Sequence, residues 1–403
     1  MPLPLYLLAL VVFAMGTSEF MLAGLLPDIA SDLGVSVGTA GTLTSAFAIG
    51  MIVGAPLAAA LARDRPGRSN LLGFVLVFAA AHVVGAVTTS FVVLFATRVL
   101  AAVANAGFLA VALTTAAGLV PPGKKGRALA VLLSGTTVAT IAGVPGGSLL
   151  GTMLGWRVTF WAVAVLCLPA TVGILRGIPT RSGHSDEAEG PTLRSEIGRF
   201  RSPRLILVML LGALVNAATF ASFTFLAPLV TGSAGMARPW VSVVLVLFGA
   251  GSFAGVTFAG RLSDQRPGLV IAVGGPLLVI GWAALALLAE NRIALLALVF
   301  VQGALSFAVG STLITRVLYE AAGAPTMAGA YATAALNVGA AVGPLIAATA
   351  LGTVGNGGPL WASGFLVLAA LLAALPFRHV MASRGAPVAP AGAVSCASCA
   401  EER

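Results

Sequence analysis

The chain has 403 residues, 59% of them hydrophobic and 9% charged, with a net charge of +9 and a mean hydropathy of +1.03. Soluble domains carry about 25% charged residues, so this composition excludes a chain that covers itself with water-facing surface. The basic residues lie in short segments between apolar runs, where orientation signals belong, and this placement excludes nucleic-acid binding.

Twelve apolar runs follow one another at 4–26, 39–62, 69–88, 91–118, 126–150, 156–176, 204–230, 240–261, 268–289, 292–316, 326–351 and 358–379. Each is close to the ~20 residues a helix needs to cross hydrocarbon. Runs such as LLGFVLVFAAAHVVGAV do not alternate polar and apolar residues, which argues against a β-barrel, and isolated spans in lipid must then be helical. The sequence predicts an all-α polytopic membrane protein with 12 transmembrane helices. The first run lacks a basic n-region and exceeds the apolar core of a signal peptide, so it reads as span 1. Eighteen of the 22 Lys and Arg lie in, or at the span ends that border, the connections after spans 2, 4, 6, 8 and 10 and the C-terminal tail. Arg157, Arg238 and Arg292 fall on the opposite side, and Arg98 falls inside a span. The positive-inside rule then puts both termini in the cytoplasm of a multi-pass protein of the cell membrane.

Span 1 contains Glu19 in MGTSEFMLAGLLPDIA, a carboxylate in an otherwise apolar run. Pro27 marks the expected outer end of the helix and leaves Asp28 in water. Glu19 is eight residues before Pro27, roughly 12 Å below that boundary, and Arg98 in span 4 is roughly 10 Å below it. An arginine in hydrocarbon costs at least ~2.5 kcal/mol, so Arg98 should face a cavity or a partner, or snorkel to the surface. Two opposite charges at similar depth suggest a pair. Burial favours the neutral carboxyl and a nearby arginine favours the carboxylate, so the pair can switch a proton. The alternative is a structural salt bridge that carries none.

Span 2 ends in Asp64-Arg65-Pro66-Gly67-Arg68, and span 8 ends in a degenerate copy containing Asp264. Pro and Gly stop the helix and permit a tight turn. Asp64 can accept hydrogen bonds from arginines or a helix N-terminus, latching one face of the molecule. On the other reading, Arg65 and Arg68 merely fix topology. The copy and the polar linker at 177–203 divide the chain into an N-terminal six-helix half, 1–176, and a C-terminal six-helix half, 204–380, with a disordered cytoplasmic tail at 381–403. Span 5 holds Gly135, Gly143, Pro145, Gly146, Gly147 and Gly151, small residues that allow close helix approach beside a proline that bends the helix.

The D-R-x-G-R loop resembles the loop motif of the major facilitator superfamily, and the span 5 glycines resemble the antiporter motif of its drug:proton exporters. In the antiporter motif Gly and Pro are adjacent, whereas here Val144 separates Gly143 from Pro145. Arg98 matches the arginine of the family's fourth-helix motif, with Ala102 where a glycine is usual. The segments LPLYLLALVVFAMGTSEFMLAGLLPDIASDLGVSVGTAGTLTSAF, NAGFLAVALTTAA, VNAATFASFTFLAP and GSTLITRVLYEAAGAPTMAG are similar to those of actinobacterial chloramphenicol-resistance exporters, in the family's 12-helix branch.

That resemblance implies a monomer that exports a small-molecule drug against protons. It also implies that the loop motif holds one face closed, and that Asn105, Asn216, Gln302 and Asn337 lie on helices lining the central cavity. Those amides can meet polar groups of a neutral substrate, or glue helices together at about 0.6 kcal/mol each. Export of a sugar, a nucleoside or several drugs is the alternative, and a non-transporting receptor is a remote one. No nucleotide loop, metal-ligand cluster or Ser-His-Asp elbow is present, so neither an enzyme nor a cofactor or metal is expected. His82 reads as a satisfied interface residue rather than a proton relay, and Cys167 as packing. Cys396 and Cys399 form a lone C-x-x-C in the tail, weak as a metal or redox motif.

Overall fold

The computed structural model describes residues 2–62, 66–121, 124–178, 202–263, 267–321 and 328–377. The linker at 179–201, the tail with Cys396 and Cys399, and the loop residues Asp64, Arg65 and Asp264 lie outside the described residues. Every described element is helical. The helices are α1 (Leu3–Phe20), α2 (Leu22–Leu33), α3 (Val37–Ala62), α4 (Gly67–Val87), α5 (Phe91–Gly118), α6 (Lys125–Val138), α7 (Val144–Leu154) and α8 (Trp156–Gly177). After the linker come α9 (Pro203–Thr224), α10 (Pro239–Ser263), α11 (Pro267–Leu287), α12 (Arg292–Glu320), α13 (Ala328–Val354) and α14 (Gly358–Ala374). Among the described residues, eleven helical stretches are long and apolar enough to cross a membrane, and α14, a shorter apolar helix, takes the twelfth position. The large side chains left exposed on these helices include Val92, Leu168, Phe258, Ile280 and Phe365, as expected of helices that face lipid.

Three elements differ from the sequence expectation. The first span does not stop at Pro27. It breaks at Met21 and continues as α2 through Pro27 to Leu33, where Gly34 closes it at φ +64°. A proline inside a membrane helix frees one carbonyl and leaves the rest of the ladder intact, so Pro27 is carried within the helix. Span 5 is not a continuous α-helix, because a π-helical turn over Ala139–Gly143 joins α6 to α7. A π turn absorbs one extra residue, and this one ends where Val144 stands between Gly143 and Pro145. Finally, α12 runs on to Glu320 and buries Arg316, an arginine the spans had placed at a helix end.

Buried apolar residues gather mainly in two clusters, one drawn chiefly from α1 to α8 and the other from α9 to α14. The exchange between them is small: Ala221, Phe225 and Ala347 join the first, Ala23 and Val144 the second. Glycine contacts repeat in both. Gly50 and Gly54 of α3 lie against Val99 and Val103 of α5, while Gly251 and Gly255 of α10 lie against Phe300 and Ala304 of α12. The four glycines with positive φ also form two pairs about 200 residues apart, Gly34 with Gly235 and Gly155 with Gly355, a further sign of internal duplication.

The loops at those four glycines mark one end of the bundle, and contacts between the clusters concentrate towards that end. The Phe225 ring occupies the space over Gly41, and Ala348 sits over Gly38. Asp28 of α2 forms an ion pair with Arg238, just before α10, at 2.6 Å. Asp32 of α2 is paired with Arg157, whose Nη2 also donates to the Thr88 carbonyl at 3.0 Å. Two of the three arginines on this side are therefore neutralised by acids of α2. Arg238 is 63% exposed, so its pair with Asp28 contributes little energy. A double-mutant cycle of Asp28→Asn and Arg238→Gln, read by thermal unfolding, is expected to give a coupling of about 0–1 kcal/mol that fades with added salt.

Candidate functional site

Arg98 lies on α5 with 1% of its surface exposed, and its guanidinium stacks 4.4 Å from the centroid of the Phe47 ring on α3. Its hydrogen bonds go to Ser18. Nη1 donates to Ser18 Oγ at 2.7 Å and Nη2 to the Ser18 carbonyl at 2.8 Å. α1 ends at Phe20, so carbonyls of its last turn need partners, and a cation at that end also meets the negative pole of the helix. Arg98 supplies both. Glu19, the next residue, is half-buried, and among the described residues it makes no hydrogen bond and no ion pair within 4 Å. The structure therefore brings Glu19 and Arg98 into one neighbourhood without joining them directly.

On the other side of Glu19 stands Phe20, which lines a narrow aromatic cavity between the two sets of helices. Its walls carry Phe20, Phe220 and Phe223 of α9, Phe248 of α10 and Phe307 of α12. The rings form a chain: Phe20 meets Phe220 at 5.8 Å and Phe223 edge-on at 6.0 Å, Phe223 meets Phe248 at 5.0 Å, and Phe248 meets Phe307 at 6.2 Å. Three hydroxyls line the same space, on Thr140, Thr219 and Ser252. Each donates to a carbonyl of its own helical segment, which leaves an oxygen lone pair to accept from a ligand.

None of the four amides singled out in the sequence lines this cavity. Asn216 donates from Nδ2 to the Leu336 carbonyl at 2.7 Å, fastening α9 to α13. Gln302 is fully buried and donates to Leu278 at 3.2 Å, with its Oε1 held where a side chain at Gly281 would be. Asn337 bonds to Thr333 of its own helix. Asn105 is buried in α5 with no hydrogen-bond partner among the described residues. The aromatic set and Ser18 carried no sequence signal of their own. The nearest was the Phe220–Phe223 spacing, which puts both rings near one face of α9.

The glycines of span 5 have a definite job. A Cβ at Gly135 would fall on the Ala9 carbonyl, at Gly143 on Thr17 Oγ1, and at Gly151 on Leu25 Cδ2. At Gly147 it would come 3.1 Å from Thr159 Cγ2, whereas Gly146 faces open space. The motif therefore lets α6, the π turn and α7 press against α1 and α2, the helices that carry Ser18, Glu19 and Phe20. Pro145 starts α7 immediately after the π turn. Gly67 and Arg68 of the loop motif begin α4. His82, on α4, is buried 2.7 Å from Ser18 Oγ, and Cys167 is buried with its Sγ donating to the Val163 carbonyl.

A bundle with two cores and a cavity between them is the architecture of a membrane transporter, and residues 8–335 match the family model of the Major Facilitator Superfamily. The chain belongs to that family. It is 76% identical, over 94% of its own length and 97% of the other chain, to the "Chloramphenicol resistance protein" of Streptomyces lividans. Its fold superposes on the crystal structure of a D-xylose-proton symporter with a TM-score of 0.70 at 15% identity, covering 92% of this chain and 96% of that one. A bacterial homologue of the human lysosomal transporter Spinster, in an inward-facing and unoccupied conformation, gives a TM-score of 0.67 at 17% identity, covering 94% of each.

Proposed function

We propose that the protein exports chloramphenicol, or a close phenicol, across the cell membrane in exchange for protons. The two six-helix halves, 1–176 and 204–380, would alternate access to the site between them, with both termini cytoplasmic and a monomer as the working unit. In this reading the linked glycine end is the outer face, closed by the Gly41–Phe225 and Asp28–Arg238 contacts.

The observation that carries the proposal is the adjacency of Glu19 and Phe20 at the end of α1. One residue belongs to the charge site and the next to the aromatic cavity. Movement of that last helical turn changes both together, which is what coupling a proton to a substrate requires. Chloramphenicol is neutral and aromatic, with hydroxyl and amide donors. The five phenylalanines suit its ring, and the lone pairs on Thr140, Thr219 and Ser252 suit its donors. The high identity to the Streptomyces lividans protein supports the same substrate.

Chloramphenicol accumulation in cells with and without the protein is the direct test. Expression is expected to lower accumulation, and an uncoupler to abolish the difference. Glu19→Gln is expected to remove export against a gradient, while Phe223→Ala weakens chloramphenicol binding roughly threefold to tenfold through the lost ring contacts. Accumulation that ignores expression would refute the substrate assignment. Uncoupler-sensitive export that survives Glu19→Gln would refute the proton role.

A further inference from the structure

A simple Glu19–Arg98 pair leaves several features of the charge site unexplained. Both Nη groups of Arg98 are directed to Ser18, and the third guanidinium nitrogen, Nε, is buried with no partner among the described residues. Ser18 Oγ lies 2.7 Å from His82 Nε2, and His82 Nδ1 lies 2.8 Å from the Phe78 carbonyl. The partners determine where the protons are. A carbonyl only accepts, so His82 Nδ1 carries the ring hydrogen. Arg98 donates to Ser18 Oγ, which leaves the hydroxyl's own proton for His82 Nε2. The donors therefore run in one direction: Arg98 to Ser18, Ser18 to His82, and His82 to the Phe78 carbonyl. The His82 ring is 4.2 Å from the Phe78 ring and 5.7 Å from Phe160, and it is 1% exposed, so packing fixes its orientation.

We propose that His82 is a positioning residue for the coupling site: acting through Ser18, it holds Arg98 on the neighbouring face of α1 and keeps the Glu19 carboxyl out of a direct ion pair. The inference rests on Glu19 being the proton carrier. A carboxylate gripped by arginine stays ionised, whereas one held apart is able to take up a proton. Successive residues on a helix are about 100° apart, so a rotation of that size at the end of α1 exchanges Ser18 for Glu19 in front of Arg98. The uncommitted Nε is then available to the carboxylate. Among the described residues, the other ionisable groups on helices packed against α1 are few. They are Arg98 on α5, Lys125 and Arg127 at the start of α6, Arg157, Cys167 and Arg176 on α8, and Asp28 and Asp32 on α2. Arg98 is the one whose charge bears on Glu19. α3 and α7 contribute no ionisable group among their described residues.

The pH profile of chloramphenicol–proton exchange in proteoliposomes tests this, with parent, Ser18→Ala, His82→Ala, His82→Gln, the Ser18→Ala/His82→Ala double variant and Glu19→Gln compared. Ser18→Ala releases Arg98 to Glu19, so the midpoint of the profile is expected to move about one unit to lower pH. His82→Ala should move it the same way, and the double variant no further than Ser18→Ala, because His82 acts through Ser18. His82→Gln places an amide oxygen near the Nε2 position and should restore most of the parent profile. Midpoints that stay put while rates fall, or shifts that add in the double variant, overturn the proposal. Thermal unfolding of each variant identifies any that misfold, and Ser18→Ala, which deletes one oxygen, remains as the decisive variant if His82→Ala does not fold. Glu19→Gln separates the two levels. If it keeps the parent profile, the proton-carrier reading has failed; if it alone changes the profile, only the positioning role has.

Discussion

Valine at Gly143 is expected to destabilise the protein by about 3 kcal/mol and to abolish transport, the largest loss foreseen for a single substitution here. The added Cβ falls on Thr17 Oγ1 and comes 3.1 Å from the Phe13 ring, so α1 has to move. Thr17 has no room to yield, since it is 5% exposed in the tightly packed stretch just before Ser18 and Glu19. The π turn that carries Gly143 is bounded by Pro145, which limits how far its own backbone can retreat. Gly146 is the matched control, because a Cβ there meets nothing within 4 Å and Gly146→Ala should change stability by less than about 0.5 kcal/mol. Thermal unfolding in detergent measures both. Equal stability of Gly143→Val and the parent would show that the motif does not act through packing on α1.

The arrangement of spans was legible because lipid leaves the chain few choices. An apolar run of sufficient length has to be a helix, and the charges between runs set the connections. The same regularity hid the features that matter most for function. Depth placed Glu19 and Arg98 at one level, but depth does not fix direction around a helix. Ser18 and Glu19 differ by about 100° in direction, and Arg98 meets Ser18. The break at Met21, which leaves the Ser18 carbonyl needing a donor, has no Gly or Pro at the break to announce it.

The cavity was hidden for a different reason. Phe20, Phe220, Phe223, Phe248 and Phe307 come from four helices, and each sits among other apolar residues that pack or face lipid. Only the meeting of α1 with α9, α10 and α12 sets them apart. The amides were conspicuous because they are polar, yet Asn216 and Gln302 spend that polarity on neighbouring backbone carbonyls. Hydropathy ends the tenth span at Arg316, where the charges begin, while α12 continues to Glu320.

Leucine at Gly249 is expected to separate folding from transport. Gly249 lies on α10, and a Cβ there would come 2.7 Å from the Thr140 carbonyl, in the π turn of the other cluster. The contact crosses between the two cores instead of lying within one, so each core keeps its own packing. The added side chain acts as a wedge where α10 meets the π turn, a contact that the proposed alternation of the two halves has to open and close. An overpacking cost of about 2 kcal/mol borne only by this closed arrangement shifts its population roughly thirtyfold. Transport should fall by at least that factor, and chloramphenicol binding should weaken with it because Gly249 and Thr140 both line the aromatic cavity. Thermal stability should drop far less than in Gly143→Val. Distance measurements between labels on α3 and α13, at the glycine end, are expected to lengthen. If Gly249→Leu unfolds as readily as Gly143→Val, the contact belongs to one continuous core and the two halves do not move as separate bodies. If it transports at the parent rate, the α10–π-turn contact is not part of the opening motion.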